Sequence, residues 1–236
     1  MSEREVERNF EQNNAHIVGM IDKEFERNHE QADRCFVKTY VNVPRRSGEC
    51  DVIPVVVDVE QVMDKVGESF IGKYANVYGR ICTYAKYDDD GNKTVDKYLY
   101  ATQFDVYDNK DDIPFEVGKN EVNLVGQVLY DPESRTTPLG RVITEFSVLS
   151  HRKSGKSDRV PCIAWGGDAI EIADIGQESR VELQGRFQSR NYMKRFADDN
   201  TVQKTAYEVS VRNIHILDAV PKAENSVVVS YEGGSL

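Results

Sequence analysis

Cysteine is scarce and poorly placed for metal or disulfide chemistry. The 236 residues contain four, Cys35, Cys50, Cys82 and Cys162, no two of them in a Cys-x-x-Cys spacing, and only four histidines. No zinc-ligand spacing can be assembled from these, and reduced thiols of a cytoplasmic protein are expected. Long apolar runs are missing as well. No stretch approaches the roughly 18 residues of a membrane span, and the opening MSEREVERNFEQNN has no apolar h-region, so neither a membrane segment nor a leader is expected. An excess of basic residues is also absent. Lys plus Arg number 30 against 40 Asp plus Glu, a net charge of -10, which excludes a blanket basic surface but leaves room for a local basic groove.

Catalytic motifs are equally hard to find. His16, His29, His151 and His215 have no recognisable Ser or Cys nucleophile motif beside them. Asp58 and Glu60 sit in a strand-to-helix turn, where such acids read as a cap rather than as a metal-binding pair. The run YDDDGN, Tyr87 to Asn92, lacks the closing Glu of a calcium loop and reads as an acidic hairpin tip. No enzyme, metal or cofactor is expected.

What is present is an internal repeat. NNAHIVGMI at residues 13–21 lies over NEVNLVGQV at 120–128, an offset of 120 - 13 = 107. At the same offset RRSGECDVIPV, Arg45 to Val55, lies over RKSGKSDRVPC, Arg152 to Cys162; one gap later Gly79-Arg80 lies over Gly185-Arg186, 106 apart. A register held over so many residues points to tandem duplication. The expected layout is a polar segment at 1–12, a first domain at 13–107, a linker at 108–118, a second domain at 119–218 and a tail at 219–236. Charge separates the halves: residues 13–117 hold 13 Lys plus Arg and 20 Asp plus Glu, giving -7, whereas 118–218 hold 14 of each, giving 0. The second half is the better surface for a polyanion.

Each repeat reads as strands. VNLVGQVLY, VITEFSVLS, RVPCIAWG, RVELQGRFQSR and TAYEVSVRNIHIL are rich in Val, Ile, Phe and Tyr and are separated by turn clusters such as DPESRTTPLG and RKSGKSD. Between the third and fourth, GDAIEIADIGQES spaces its apolar residues for a short helix ending at Gly176, and VEQVMDKVGESFIG does the same in the first half. Five strands with a helix between the third and fourth is the order of an OB barrel, so the fold expected is all-β with short helices, two tandem five-stranded OB barrels. Gly126 and Gly185 fit barrel curvature.

The second repeat carries chemistry suited to an unpaired nucleic-acid strand, which needs cations for phosphates and flat rings for bases. Alternation puts Arg159, Pro161, Ile163 and Trp165 on one face of a strand and Arg186, Gln188, Arg190 and Tyr192 on one face of the next. Arginines at every second position argue for an open face. Arg152, Lys153 and Lys156 precede this set in a hairpin and Lys194 and Arg195 follow it, as flexible cations able to close over a strand.

The stretch from Asn120 to Leu217, with NLVGQV, DPE, VPCIAWG, GRFQSRNY and YEVSVRNIHIL, resembles the bacterial single-stranded DNA-binding protein family. The resemblance implies a non-enzymatic protein that coats single strands during replication, recombination and repair. It also implies a homodimer, since family members with two OB barrels per chain form dimers. Trp165 and Tyr192 match family positions that stack on bases, and Arg190 a position that contacts the backbone.

Two departures from the family stand out. In the first repeat Asp58 aligns with Trp165, Val52 with Arg159 and Tyr84 with Arg190, so this barrel is expected either to bind DNA through another set, Arg45, Arg46, Tyr78, Arg80 and Tyr84, or to serve as a surface for replication or repair proteins. The alternative reading of the whole chain follows from the second option: an OB-fold adaptor. The acidic tail ending Asp-Asp-Ile-Pro-Phe, common in the family, is missing from the C-terminus, SVVVSYEGGSL; the five letters occur at Asp111 to Phe115, where a linker packed between the barrels is expected.

Overall fold

The computed structural model describes residues 12–63, 69–87, 91, 93–152, 154–195 and 201–222, and of Lys194 the backbone alone. Six strands come from the first repeat: β1 (Gln12–Ile21), β2 (Glu26–Gln31), β3 (Arg34–Pro44), β4 (Cys50–Asp58), β5 (Tyr74–Tyr87) and β6 (Lys93–Tyr107). The second supplies β7 (Asn120–Val128), β8 (Glu133–Thr136), β9 (Val142–His151), β10 (Ser157–Trp165), β11 (Arg180–Arg195) and β12 (Thr201–Asp218), with helix α1 (Gly167–Ala173) between β10 and β11.

In each repeat five strands close on themselves. β1 pairs with both β3 and β5, β3 with β4, β4 in parallel with β6, and β6 with β5. The second repeat closes the same way through β7, β9, β10, β12 and β11. These are two five-stranded OB barrels, as the element order predicts. The sixth strand of each half, β2 and β8, is a short ribbon laid on β3 or β9 outside the closed ring. Neither shows apolar alternation: ERNHEQ is polar throughout and ESRT falls inside an expected turn cluster, so neither carries the signal of a half-buried strand.

Inward-facing residues of period two fill the barrels. Ile17, Ile21, Val41, Ile53, Val77, Ile81 and Leu99 are buried in the first, and Leu124, Val148, Val160, Leu183, Phe187 and Val209 in the second. Helix α1 is shorter than the sequence suggests and tucks Ala169 and Ile172 against the barrel. Its counterpart is a single 3-10 turn, Val59–Gln61, and the rest of the helix expected there falls partly on residues 64–68, outside the described residues. Closure demands glycine at particular places. A Cβ on Gly19 would lie 2.3 Å from the Asn42 carbonyl oxygen, and one on Gly126 2.3 Å from that of Leu149, its repeat equivalent.

The two barrels share one sheet. β1 and β7 run antiparallel, with Gln12 opposite Val125 and Ile17 opposite Asn120, and join the halves into a single twelve-stranded array. Equivalent asparagines clamp the equivalent strands: Asn13 exchanges hydrogen bonds with the backbone of Ile81 (2.8 and 2.9 Å), and Asn120 does so with that of Phe187 (2.8 and 2.9 Å). The linker is ordered over this joint. Ile113 is buried, and the Phe115 ring meets His16 edge-on at 5.0 Å.

Candidate nucleic-acid interface

The register assembles the expected face of the second barrel. Opposite Arg186, Gln188, Arg190 and Tyr192 on β11 stand Ser210, Glu208, Ala206 and Lys204 on β12, and the parallel pair Ile163 with Ser210 brings the β10 set alongside. The other side of the same strands is the core residues Val160, Cys162, Phe187 and Val209. Outward side chains differ in access. Trp165 is 41% exposed and Tyr192 38%; Arg159 and Arg190 are exposed, and the Arg190 guanidinium lies over the Tyr192 ring, 5.8 Å from its centre.

Two residues of this face have other partners. Gln188 is buried and donates to Glu208 at 2.9 Å, and Arg186 donates to Gln188 at 3.2 Å. Glu208, which sequence reasoning missed, places a carboxylate in the centre of the face and accepts from Arg190 at 3.3 Å. The expected open face is therefore interrupted at its centre, where Gln188 is buried and Glu208 offsets part of the arginine charge.

The hairpin cations are also redistributed. Arg152, expected as a flexible loop cation, gives Nε to Asp158 at 2.6 Å and Nη2 to the same carboxylate, which in turn accepts the Thr83 N–H of the other barrel at 2.9 Å. The bond to Asp158 raises the Arg152 pKa further above its ordinary value. Arg45 repeats the arrangement: Nε reaches Asp51 at 2.9 Å, and Asp51 accepts the Ser189 N–H of the second barrel at 2.9 Å. Both arginines thus lock one barrel to the other. Their hairpin neighbours Arg46 and Lys156 remain exposed, as does Arg195; Lys153 and the Lys194 side chain lie outside the described residues, as do Asp88 to Asp90 and Asn92 of the acidic hairpin tip.

The first barrel departs from expectation most. Asp58 does not stand on an open face as a carboxylate in the place of an indole. It is 2% exposed, ion-paired to Arg34, and accepts the Glu60 N–H at 3.1 Å as the cap of the 3-10 turn. Around it the outer face is aromatic and cationic. Arg34 lies 5.4 Å from the Phe36 ring centre, Lys38 5.1 Å from Tyr40, and Arg80 5.1 Å from Tyr100, with His29 stacked on Phe36 at 4.7 Å. Tyr84 is exposed nearby, while Tyr78 is stacked on His16 at 3.9 Å. Burial pushes the Tyr98 hydroxyl up to about 12. The signal for this face was in the alternation Arg34, Phe36, Lys38, Tyr40 and in Tyr98, Tyr100. The repeat alignment hid the second pair, because the β5–β6 hairpin is shorter than β11–β12: Gly79 pairs with Ala101, 22 residues on, and Gly185 with Val211, 26 on.

Fold and surface together define a tandem OB protein with aromatic and cationic residues on the outer faces of its barrels. Residues 119–217 match the single-strand binding protein family. Single-stranded DNA-binding protein 2 of Listeria monocytogenes is 30% identical over 114 residues, which cover 45% of this chain and 67% of that protein. Single-stranded DNA-binding protein 2 of Streptomyces coelicolor is 32% identical over 108 residues, 41% of this chain and 52% of that one, so the chain spans about half the length of that relative. The wild-type single-stranded DNA binding protein from Thermus aquaticus shares the fold over nearly all of both chains, with a TM-score of 0.67 at 14% identity, covering 90% of this chain and 96% of that one. The chain belongs to the single-strand binding protein family, in its tandem OB form. No helix among the described residues is long and apolar enough to cross a membrane.

Proposed function

We propose that the protein binds and protects single-stranded DNA without catalysing a reaction, in replication, recombination and repair in the cytoplasm. The observation that carries this reading is the outer face of the second barrel: Trp165 and Tyr192 offer open rings beside Arg159 and Arg190. Each base stacked on such a ring contributes about 1 to 3 kcal/mol and is tolerated whatever the base, because every base has a π face. Arginine heads follow the phosphates, so binding is salt-sensitive. The first barrel takes part through Tyr40, Tyr84 and Tyr100 with Lys38 and Arg80.

A homodimer fits the same reading. The sheet ends in β2 and β8, each with one unpaired edge, and two-fold association is the commonest way to cover such surfaces. Oligo(dT) titration at two salt concentrations, followed by Trp165 fluorescence, tests the function: saturable, salt-sensitive quenching supports it, and its absence at low salt refutes it. Replication or repair proteins are then partners to be sought in the presence of DNA.

A further inference from the structure

A cleft of about 1060 Å³ opens between the Arg45 hairpin of the first barrel, the linker, and strands β11 and β12 of the second. Arg46, Arg186 and Arg212 line it, and none of the three is paired with a carboxylate among the described residues. Of the three acids on its wall, Asp51 is engaged by Arg45 and Glu121 by Lys119 at 3.0 Å, which leaves Glu116 against three guanidinium groups. Burial, and then the like charge of Arg45, lowers the Arg186 pKa from its ordinary value, with Asp51 acting the other way and Arg212 adding to the fall. The described wall thus carries five cations, Arg45, Arg46, Lys119, Arg186 and Arg212, against three acids, an excess of positive charge that an incoming anion relieves.

A second cleft lies on another side of the joint. There the Arg152 hairpin faces β5 and β6 of the first barrel, around a space of about 830 Å³. Among the described cations on its wall, Arg152 is paired with Asp158 and Lys86 with Asp96 at 2.5 Å, while Lys156 has no carboxylate partner.

Building on the proposed function, we infer that a single DNA strand passes from one barrel to the other through the first cleft, with Arg46, Arg186 and Arg212 holding its phosphates. Two features favour a nucleic-acid strand over an acidic peptide. Arg186 shares its β11 face with Arg190 and Tyr192, so the cleft leads past Gln188 and Glu208 to the outer face of the second barrel. On the far wall Phe115 is 37% exposed and offers a ring to a base.

The test compares the full chain with its Arg46→Ala/Arg212→Ala and Arg46→Lys/Arg212→Lys variants; both arginines are exposed, and unchanged thermal melts verify folding. The probes are an oligo(dT) of about 8 nucleotides, which one barrel can hold, and one of about 30, which needs both. The Ala variant is expected to bind the long probe about tenfold more weakly at low salt, with the slope of log K against log salt reduced by roughly 1.4, two phosphates at about 0.7 each. Binding of the short probe is expected to be unchanged, and the Lys variant to regain the slope. Equal long-probe slopes in wild-type and Ala proteins overturn the passage while leaving DNA binding intact. Loss of binding to a ten-residue poly-glutamate peptide, with long-probe binding retained, overturns it in favour of a protein partner. A wild-type chain that binds neither probe removes the functional reading, and the passage with it.

Discussion

Ala15 of β1 stands opposite Val122 of β7, and the two are equivalent positions of the repeats, 122 - 15 = 107 residues apart. The local two-fold axis relating the barrels therefore passes between them. Contacts made by one barrel on the other recur with the roles exchanged. The Asp51 carboxylate holds the Ser189 N–H, and the Asp158 carboxylate holds the Thr83 N–H, with 189 - 83 = 106. Ser189 Oγ accepts the Val52 N–H at 2.9 Å, and Thr83 Oγ1 accepts the Arg159 N–H at 3.1 Å.

Replacing either carboxylate should loosen this joint. Asp51→Asn or Asp158→Asn leaves a half-buried guanidinium without its ion partner, at an expected cost of about 2 to 3 kcal/mol per site. Urea unfolding measures it as a lower midpoint. A midpoint unchanged in both variants would show that the hairpins rest on the barrels without holding them.

Trp165→Ala should weaken oligo(dT) binding by about 1 to 3 kcal/mol while leaving thermal stability near wild type, because the indole is 41% exposed at the end of β10. Tyr192→Ala should act alike. Full affinity in a folded Trp165→Ala protein rules out the indole as a base platform.

Asp58→Trp should not create a second platform. The carboxylate is buried, paired to Arg34 and capping a turn, so the substitution costs at least the ~1 kcal/mol of a lost cap, and an indole does not fit the space without displacing Arg34. The expected results are a lower melting temperature and no gain in affinity. By contrast, Tyr100→Ala should reduce affinity for long oligonucleotides, since its half-buried ring, with Arg80 over it, belongs to the aromatic outer face of the first barrel.

Stability should fall on acidification through His16. Its imidazole is buried, stacked on Tyr78 and hydrogen-bonded to Asn76 at 2.7 Å, and the charges of Lys119 and Glu121 act on it in opposite senses. Burial lowers its pKa below 6.5, so the unfolded chain binds the proton more readily than the folded one. The contribution is complete above pH 6.5 and is lost as the pH falls through the depressed folded value. His16→Gln should flatten this part of the stability profile, as read from denaturant midpoints between pH 7 and 5.

The barrels and their core were legible because inward Val, Ile, Leu and Phe recur at every second position, and because Arg45 to Val55 and Arg152 to Cys162 nearly repeat one another. The fate of individual charges was not. Arg152 in RKSGKSD has the same letters whether it waves in solvent or closes on Asp158, and the choice is made by Thr83, 69 residues away in the other barrel. Glu208 was passed over for the same reason, since its partner Gln188 lies across a hairpin and sequence alternation describes one strand at a time. Tyr100 was hidden by hairpin length rather than by chemistry.

The pairing of β1 with β7 has a consequence for how the surface can change over generations. Where two identical chains meet on a two-fold axis, any mutation appears at both equivalent places, and neither half can be altered without the other. Joining the halves in one polypeptide removes that constraint. Trp165 and Asp58, or Arg186 beside Gln188 and Arg80 over Tyr100, occupy matched places and do different work. The result is an object with a left and a right, built on a plan that has neither.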